Sequence, residues 1–263
     1  MKYAIMSDVH ANPRALETAL VDARRRGCGK FLLLGDITGY GYDSPAALEL
    51  VRKSFDVVLL GNHDSACVGL EPEFQIVMNR NYDLDRAARE QLSDADRQWL
   101  REREAVFAKD GFACVHGDFV SPRSWDYVIE RRDAVLNFSA RKEPLLFCGH
   151  THHAAVWERT RKGEVRPKFE RRLNVPADKA ESVSFRCAAT SRYIVNVGSV
   201  GYPRNDLCSS YCIYDDRTRR VTVRRLPFDF GSYVREMVSR KVELPYWLCE
   251  LLIAVRKLSG RQP

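Results

Sequence analysis

The sequence lacks any apolar run of about 18 to 20 residues, the length needed to cross a bilayer. Its eight cysteines are irregularly spaced and form no C-x-x-C pair, which argues against a disulfide framework or a thiolate metal site. The apolar run before the first acidic residue is too short for a signal peptide. These absences predict a cytoplasmic protein with free thiols and no membrane span.

The chain also lacks an internal repeat and a low-complexity linker. Its 263 residues, of which 45% are hydrophobic, can bury a full two-layer core. We therefore expect a single domain over residues 1–263, in which residues 226–263 form a helical extension packed on the rest. The net charge of +7 suits anionic, phosphorylated substrates, but the basic residues are scattered, so specific nucleic-acid binding is not expected.

Apolar runs of strand length recur along the chain, and their uninterrupted character is typical of strands buried on both faces. They are residues 3–6, 31–34, 57–60, 112–115, 145–148 and 193–195. A helix is predicted over residues 12–26, with Asn12 as its N-cap and Pro13 in its first position. A second is predicted up to residue 51, with Ser44 as its N-cap and Pro45 in its first position.

Further helices are predicted over residues 80–103, with Ser93 as a cap, and over residues 228–255, with a break near Pro245. Two alternating segments around residues 215–218 predict a late hairpin. Strands that alternate with helices predict an α/β layered fold.

Five of the predicted strands are each followed directly by residues whose side chains can bind metal. These are Asp8-x-His10, Gly35-Asp36, Gly61-Asn62-His63-Asp64, His116-Gly117-Asp118 and Gly149-His150-Thr151-His152. Ligand crevices in α/β sheets lie at the carboxyl ends of the strands, so these motifs should converge. A lone aspartate there is usually a turn or helix cap, but five of the six histidines fall in these motifs. The pattern therefore predicts a metal site.

The chemistry of the ligands narrows the choice of metal. Imidazole, carboxylate and amide groups together suit Mn, Fe, Zn, Co or Ni better than Mg or Ca. Seven candidate ligands exceed the need of one ion, whereas two ions about 3.5 to 4 Å apart that share a carboxylate would use them all. Asp36 is the natural bridging residue.

The same motifs, in this order, resemble those of the calcineurin-like metallophosphoesterases over residues 1 to about 225. Residues 35–41 and 196–204 resemble the compact prokaryotic branch of phosphodiesterases named after diadenosine tetraphosphatase. The resemblance implies a four-layer αββα sandwich, in which two mixed β-sheets are flanked by helices and the metal site lies at the C-terminal ends of the strands.

The resemblance also implies roles for individual residues. One divalent ion would be held by Asp8, His10, Asp36 and His152. The second would be held by Asp36, Asn62, His116 and His150. Manganese is the leading candidate, and Fe, Zn, Ni and Co are the others. His63 would protonate the leaving oxygen or stabilise its charge, with Asp64 orienting the ring. Substrate contacts would come from Asn62, His63 and Arg204.

The expected reaction is hydrolysis of a phosphodiester or phosphomonoester by in-line attack of a metal-bridging hydroxide on a small substrate, with nucleotides among the candidates. A nuclease, a protein phosphatase and a non-catalytic scaffold are the alternatives. Substrate choice is assigned to loops at residues 65–81 and 157–190.

Several residues near these motifs allow two interpretations of their role. Tyr40 and Tyr42 either stack on a substrate ring or fill the wall of the crevice. Asn196 and Arg204 either contact the substrate or support the site, or they belong to a turn that ties strands together. The apolar segment 244–255 either packs on the sandwich or joins two copies in a homodimer.

Overall fold

The computed structural model describes residues 1–70, 82–170, 180–204 and 208–242. The strands are β1 Lys2–Met6, β2 Lys30–Leu33, β3 Val57–Val58, β4 Val106–Lys109, β5 Phe112–Val115, β6 Leu145–Cys148, β7 Ala154–Arg159, β8 Val165–Glu170, β9 Glu181–Arg186, β10 Arg192–Val197, β11 Cys208–Asp215 and β12 Arg220–Pro227. The helices are α1 Pro13–Arg25, α2 Ser44–Ser54, α3 Asn62–Cys67, α4 Tyr82–Gln91, α5 Asp94–Arg101, α6 Arg131–Ala140 and α7 Phe230–Ser239.

The strands form two mixed sheets. The first has the order β3-β2-β1-β11-β12-β9, and the second has the order β4-β5-β6-β10-β7-β8. In the first sheet β1, β2 and β3 run parallel, and in the second β5, β6 and β10 do. The carboxyl ends of β1, β2, β3, β5 and β6 carry the predicted metal-binding motifs, so the parallel part of each sheet positions the site.

Alternate side chains of each central strand enter different core layers, as the period of two requires. In β1, Tyr3 and Ile5 pack between the two sheets, whereas Ala4 and Met6 pack against α1 and α2. On the other side, Leu146 of β6 packs against α6. Helix, sheet, sheet and helix therefore form four successive layers, and the predicted αββα sandwich is confirmed.

Most of the predicted elements are confirmed. Strands β5 and β6 have the predicted bounds, and β11 and β12 form the late hairpin. Asn12 caps α1 by accepting a hydrogen bond from the amide of Ala15 at 3.1 Å. The hydroxyl of Ser93 caps α5 in the same way, from the amide of Asp96.

Three predictions need correction. Helix α2 is capped by Asp43, not Ser44, because the Asp43 carboxylate reaches the amide of Ala46 at 3.0 Å. Strand β3 is shorter than predicted and consists of Val57 and Val58, whereas Leu59 forms an isolated bridge with Glu104. Much of residues 157–190, predicted as a loop, forms strands β7, β8 and β9.

The C-terminal part of the chain is described as far as residue 242. Helix α7 packs through Tyr233 and Met237 beside Tyr42 and Tyr202. The segment 244–255 and the break near Pro245 lie outside the described residues, as do residues 71–81 of the other predicted loop. Among the described helices, none is both long and apolar enough to cross a membrane.

Candidate metal centre

The predicted site residues lie on short loops that hydrogen-bond to one another. The amide of Asp8 donates to the carbonyl of Gly35 at 3.1 Å, and the amide of Gly149 donates to the carbonyl of His116 at 2.8 Å. The amide of Gly201, in the turn after β10, donates to the carbonyl of Asp8 at 2.9 Å. These bonds join loops from both sheets into one surface.

The backbone of the site is unusual. Five of the seven predicted metal ligands have a positive φ, in the left-handed region that L residues rarely adopt. They are Asp8 (57°), His10 (47°), Asp36 (54°), His150 (66°) and His152 (63°). Such conformations cost energy and concentrate at functional sites.

Gly61 lets two of these loops approach each other closely. A Cβ atom at this position would lie 2.1 Å from Oδ1 of Asp36, so no other residue fits without displacing that carboxylate. The same Oδ1 accepts a hydrogen bond from the amide of His63 at 2.9 Å. The glycine of the Gly61-Asn62-His63-Asp64 motif thus sets the position of Asp36.

The structure brings all seven predicted ligands together in two adjoining clusters of buried or partly buried residues. In one cluster, ligand atoms of Asp8, His10 and His152 lie within 4.8 Å of one another. In the other, those of Asp36, His116 and His150 do the same, and Asn62 Oδ1 lies 3.1 Å from His116 Nε2.

Asp36 lies between the two clusters. Its Oδ2 is 3.2 Å from Nε2 of His116 and 3.7 Å from Nε2 of His10. A single carboxylate oxygen thus faces imidazoles of both clusters, the arrangement expected of a bridging ligand.

Each histidine of the two clusters donates one ring N–H to a backbone carbonyl. Nδ1 of His10 pairs with Thr38 O at 3.0 Å, and Nδ1 of His116 pairs with Leu34 O at 3.1 Å. Nδ1 of His152 pairs with Tyr202 O at 2.7 Å, and Nε2 of His150 pairs with Trp125 O at 2.8 Å. In the neutral ring the inward-facing nitrogen then carries a lone pair, the form that binds a metal.

These lone pairs face one another and other acceptors, an arrangement that a cation would stabilise. Nε2 of His10 is 3.1 Å from Nε2 of His152. Oδ1 of Asp8 is buried without a hydrogen-bond partner. The oxygen of the Asn62 amide faces only acceptors, although a reversed amide would form hydrogen bonds. A buried cluster of uncompensated acceptors fits a pair of divalent cations, with the amide oxygen of Asn62 directed at them.

The electrostatics of the cluster agree with this fit. Burial lowers the pKa of His10 to about 4, and burial together with the charge of His116 lowers the pKa of His150 to about 3. Both rings are therefore neutral near pH 7. Burial also lowers the pKa of His116, but the Asp36 carboxylate outweighs it and raises this pKa to about 9. Asp36 thus attracts a positive charge to its side of the cluster.

His63 lies beside the first cluster but is oriented by a residue that the sequence did not reveal. Its Nδ1 is 2.6 Å from Oδ1 of Asp85, a buried residue of α4. A ring nitrogen of His63 lies within 4.8 Å of ligand atoms of His10 and Asp36. Because Nδ1 is hydrogen-bonded to Asp85, Nε2 is the ring nitrogen that remains available to a substrate.

The predicted role of Asp64 as the orienting residue is wrong. Its carboxylate accepts hydrogen bonds from the amides of Ile37 and Thr38 at 2.9 and 3.0 Å, and from the hydroxyl of Thr38 at 3.1 Å. It therefore points away from the His63 ring and holds the loop that follows Asp36. Burial, and next the charge of Asp36, raise the pKa of Asp64 to about 6.

Aromatic residues and Arg204 surround the clusters. Tyr40 and Tyr202 stack with centroids 4.3 Å apart at 8°, and Tyr40 lies 4.5 Å from the ring of His63. Tyr40 and Tyr42 are both buried, so they fill the wall of the crevice, one of their two predicted roles. Tyr127, which sequence reasoning missed, stacks on His150 at 4.4 Å.

Asn196 ties the turn after β10 to the site. Its amide nitrogen donates to the carbonyl of Gly149 at 2.6 Å, and its oxygen accepts from the amide of Gly198 at 3.0 Å. Of its two predicted roles, tying a turn is the one the structure shows. Arg204 is partly buried and donates to the hydroxyl of Tyr40 at 3.5 Å.

Comparisons with known proteins agree with this geometry. A model of the calcineurin-like phosphoesterase superfamily domain matches residues 1–219. A metallophosphoesterase from Sphaerobacter thermophilus, known from its crystal structure, is 32% identical, with 93% of this chain and 95% of that chain covered, at a TM-score of 0.76.

Two further relatives carry no functional description. The protein MJ0912 of Methanocaldococcus jannaschii, described as uncharacterised, is 27% identical over 96% of this chain and 98% of its own length. The hypothetical protein PH1004 from Pyrococcus horikoshii is 15% identical, with 95% and 97% of the two chains covered and a TM-score of 0.70, and so shares the fold.

Proposed function

The chain belongs to the calcineurin-like phosphoesterase superfamily and is a hydrolase of phosphoric esters, and we propose that it uses two divalent metal ions to cleave phosphomonoester or phosphodiester bonds. One observation carries the proposal. Oδ2 of Asp36 lies between two buried clusters of imidazole and carboxylate groups whose lone pairs face inward. Such a donor set can hold two cations about 3.5 to 4 Å apart.

The ligand sets follow the two clusters. Asp8, His10, Asp36 and His152 would hold one ion. Asp36, Asn62, His116 and His150 would hold the other. Their mixture of nitrogen and oxygen atoms suits first-row transition metals, with manganese the first to test and Fe, Zn, Ni and Co next. When bound, two such ions supply an activated water and neutralise charge on the phosphate oxygens.

His63 would protonate the leaving oxygen. Asp85 holds Nδ1 at 2.6 Å, so the ring can present a proton at Nε2. Burial disfavours the charged ring, but Asp85 outweighs it and raises the pKa of His63 well above its ordinary value. The ring would therefore carry a proton at neutral pH, as a general acid requires.

The substrate would be a small phosphorylated molecule, nucleotides included, that contacts Asn62, His63 and Arg204. Asn62 and His63 lie at the start of α3 beside Asp36, and Arg204 donates to the hydroxyl of Tyr40. The net charge of +7 favours anionic substrates in general.

The test is a substrate panel with measured metal content. Metal-free protein is loaded with Mn, Fe, Ni, Co, Zn or Mg, and bound metal is counted by elemental analysis. Each form is assayed on p-nitrophenyl phosphate, bis-p-nitrophenyl phosphate, cyclic nucleotides, dinucleoside polyphosphates, a phosphopeptide and single-stranded nucleic acid. We expect two ions per chain and turnover of at least one small ester. Two bound ions without turnover of any substrate would favour a scaffold and overturn the proposal.

A further inference from the structure

The guanidinium of Arg204 has an unusual set of partners. Its Nη2 donates to the hydroxyl of Tyr40 at 3.5 Å, and the side chain of Tyr127 lies beside it. No carboxylate within residues 1–70, 82–170, 180–204 and 208–242 forms an ion pair with it. The described neighbours of this partly buried cation are therefore neutral phenols, which do not balance its charge.

The two phenols place Arg204 across the metal centre. The ring of Tyr40 lies 4.7 Å from that of His10 and 4.5 Å from that of His63. The ring of Tyr127 stacks on His150 of the other cluster at 4.4 Å and 26°. Since the guanidinium contacts Tyr40 and lies beside Tyr127, it is near both clusters.

The two fully buried arginines of the described residues are paired differently. Arg224 forms two hydrogen bonds of 2.9 Å with the carboxylate of Asp22. Arg225 pairs with the carboxylate of Glu181. A partly buried guanidinium without a carboxylate is costly unless an anion reaches it, and phosphate matches its planar set of donors.

The charge of the substrate decides whether Arg204 has a role. A phosphodiester has one negative charge and two non-bridging oxygens, both of which the proposed metal pair can engage. A terminal phosphate offers a third oxygen and a second charge. A second phosphate in the same molecule also offers further charge. In either case Arg204 would gain an anionic partner that a simple diester lacks.

We infer that Arg204 is a specificity-determining residue that selects substrates whose negative charge exceeds that of a single phosphodiester, through a terminal phosphate or an adjacent second phosphate. This inference rests on the proposed function, because it places the scissile phosphate at the two clusters. Tyr40 and Tyr127 position the guanidinium.

The test measures binding by calorimetry with metal-loaded protein at one salt concentration. Three probes differ in charge. Inorganic phosphate has a terminal phosphate, P1,P2-dimethyl diphosphate has a second phosphate but no terminal one, and dimethyl phosphate has neither. We expect Arg204→Gln to weaken one or both of the first two about 10- to 100-fold, as for a charge-assisted hydrogen bond. Binding of dimethyl phosphate should change less than about threefold.

Two further variants complete the design. Arg204→Lys keeps the charge without the planar donors and should lose less affinity than Arg204→Gln. Arg123→Gln removes an exposed arginine from the loop that carries Tyr127 and should leave all three affinities unchanged. Unfolding temperature and metal content show whether each variant has folded.

The results distinguish a terminal phosphate from a second phosphate as the source of the extra charge. They also distinguish failure of this inference from failure of the proposed function. If Arg204→Gln loses affinity only for inorganic phosphate, Arg204 binds the third oxygen of a terminal phosphate. If it loses affinity only for dimethyl diphosphate, Arg204 binds a second phosphate. Equal loss on all three probes, or no loss on any, would overturn the inference. If the wild-type protein hydrolyses no ester yet shows the expected pattern of binding, the proposed function fails while the charge preference of Arg204 stands.

Discussion

Two polar clusters of this protein, one around Asp22 and one around Asp36, differ in how completely their hydrogen-bond donors and acceptors are matched. Around Asp22, every contact joins a donor to an acceptor: Arg224 donates twice to its carboxylate at 2.9 Å, and the hydroxyl of Tyr211 donates at 2.6 Å. In the metal centre that contains Asp36, by contrast, Nε2 of His10 lies 3.1 Å from Nε2 of His152, and Oδ1 of Asp8 has no hydrogen-bond partner.

The difference indicates that the Asp22 cluster contributes to stability and the Asp36 cluster to function. A cluster that satisfies itself needs nothing more and stabilises the contact of α1 with β11 and β12. A cluster that leaves lone pairs facing one another is costly by itself and would be stabilised by a cation. We therefore expect changes at Asp36 to affect metal and turnover first, and changes at Asp22 to affect unfolding alone.

The largest effect is expected from Asp36→Asn. Because Oδ2 of Asp36 faces both clusters, its loss should reduce bound metal below one ion per chain. Turnover should fall roughly 1,000-fold or more, the equivalent of several kcal/mol of transition-state stabilisation. Elemental analysis and kcat/KM on the best panel substrate measure both, with Asp110→Asn, an exposed carboxylate between β4 and β5, as the control. An Asp36→Asn protein with two ions would contradict the bridging role.

His63→Ala should come next, and it separates catalysis from metal binding. Both ions should stay, while kcat should fall about 10²- to 10⁴-fold through loss of the general acid. The fall should be smaller for p-nitrophenyl esters, whose leaving group needs less protonation, than for alkyl esters. A fully active variant would remove His63 from the mechanism, and a variant without metal would make it a ligand.

Asp85→Asn should have a smaller effect of the same kind. Asn cannot hold the His63 ring as a carboxylate does, so kcat should fall roughly 10- to 100-fold, with metal content and KM nearly unchanged. The fall should again be greater for alkyl than for p-nitrophenyl esters. Glu90→Gln, an exposed change on the same helix, is the control and should have no effect. Equal losses for both classes of ester would speak against a positioning role.

Asp22→Asn should leave turnover intact and lower the free energy of unfolding by about 2 to 4 kcal/mol, because Arg224 loses its carboxylate. Burial raises the pKa of Asp22, but Arg224 outweighs it and holds this pKa below 3.8. The stabilisation is therefore complete above pH 3.8 and disappears as the pH falls through the lowered pKa. Urea unfolding from pH 6 to pH 2.5 should show the two proteins converging, and a constant difference would contradict this account.

Much of the fold could be predicted because apolar runs and helix caps are local signals. Residues 112–115 and 145–148 are uninterrupted apolar runs, and they form β5 and β6 with those bounds. Strand β9, in contrast, alternates between half-buried and exposed residues at the edge of a sheet. Its weak apolar pattern explains why residues 181–186 were predicted as part of a loop.

The site was predictable to the same extent. The motifs after the strands named the side chains that the structure brings together, although their role as metal ligands remains a prediction. Asp85 could not be found in this way, since it lies on α4, 22 residues after His63, and one aspartate on an amphipathic helix carries no special signal. The neighbouring Asp64 was chosen for its position in the motif, but its carboxylate is used by backbone amides.

The left-handed backbone at Asp8, His10, Asp36, His150 and His152 also bears on how the protein can evolve. At these positions glycine would relieve a conformation that costs an L residue about 1 kcal/mol or more. A copy released from selection for activity could thus gain stability by losing its ligands. An inactive homologue that arose in this way would have glycines at the positions where this chain has these aspartates and histidines.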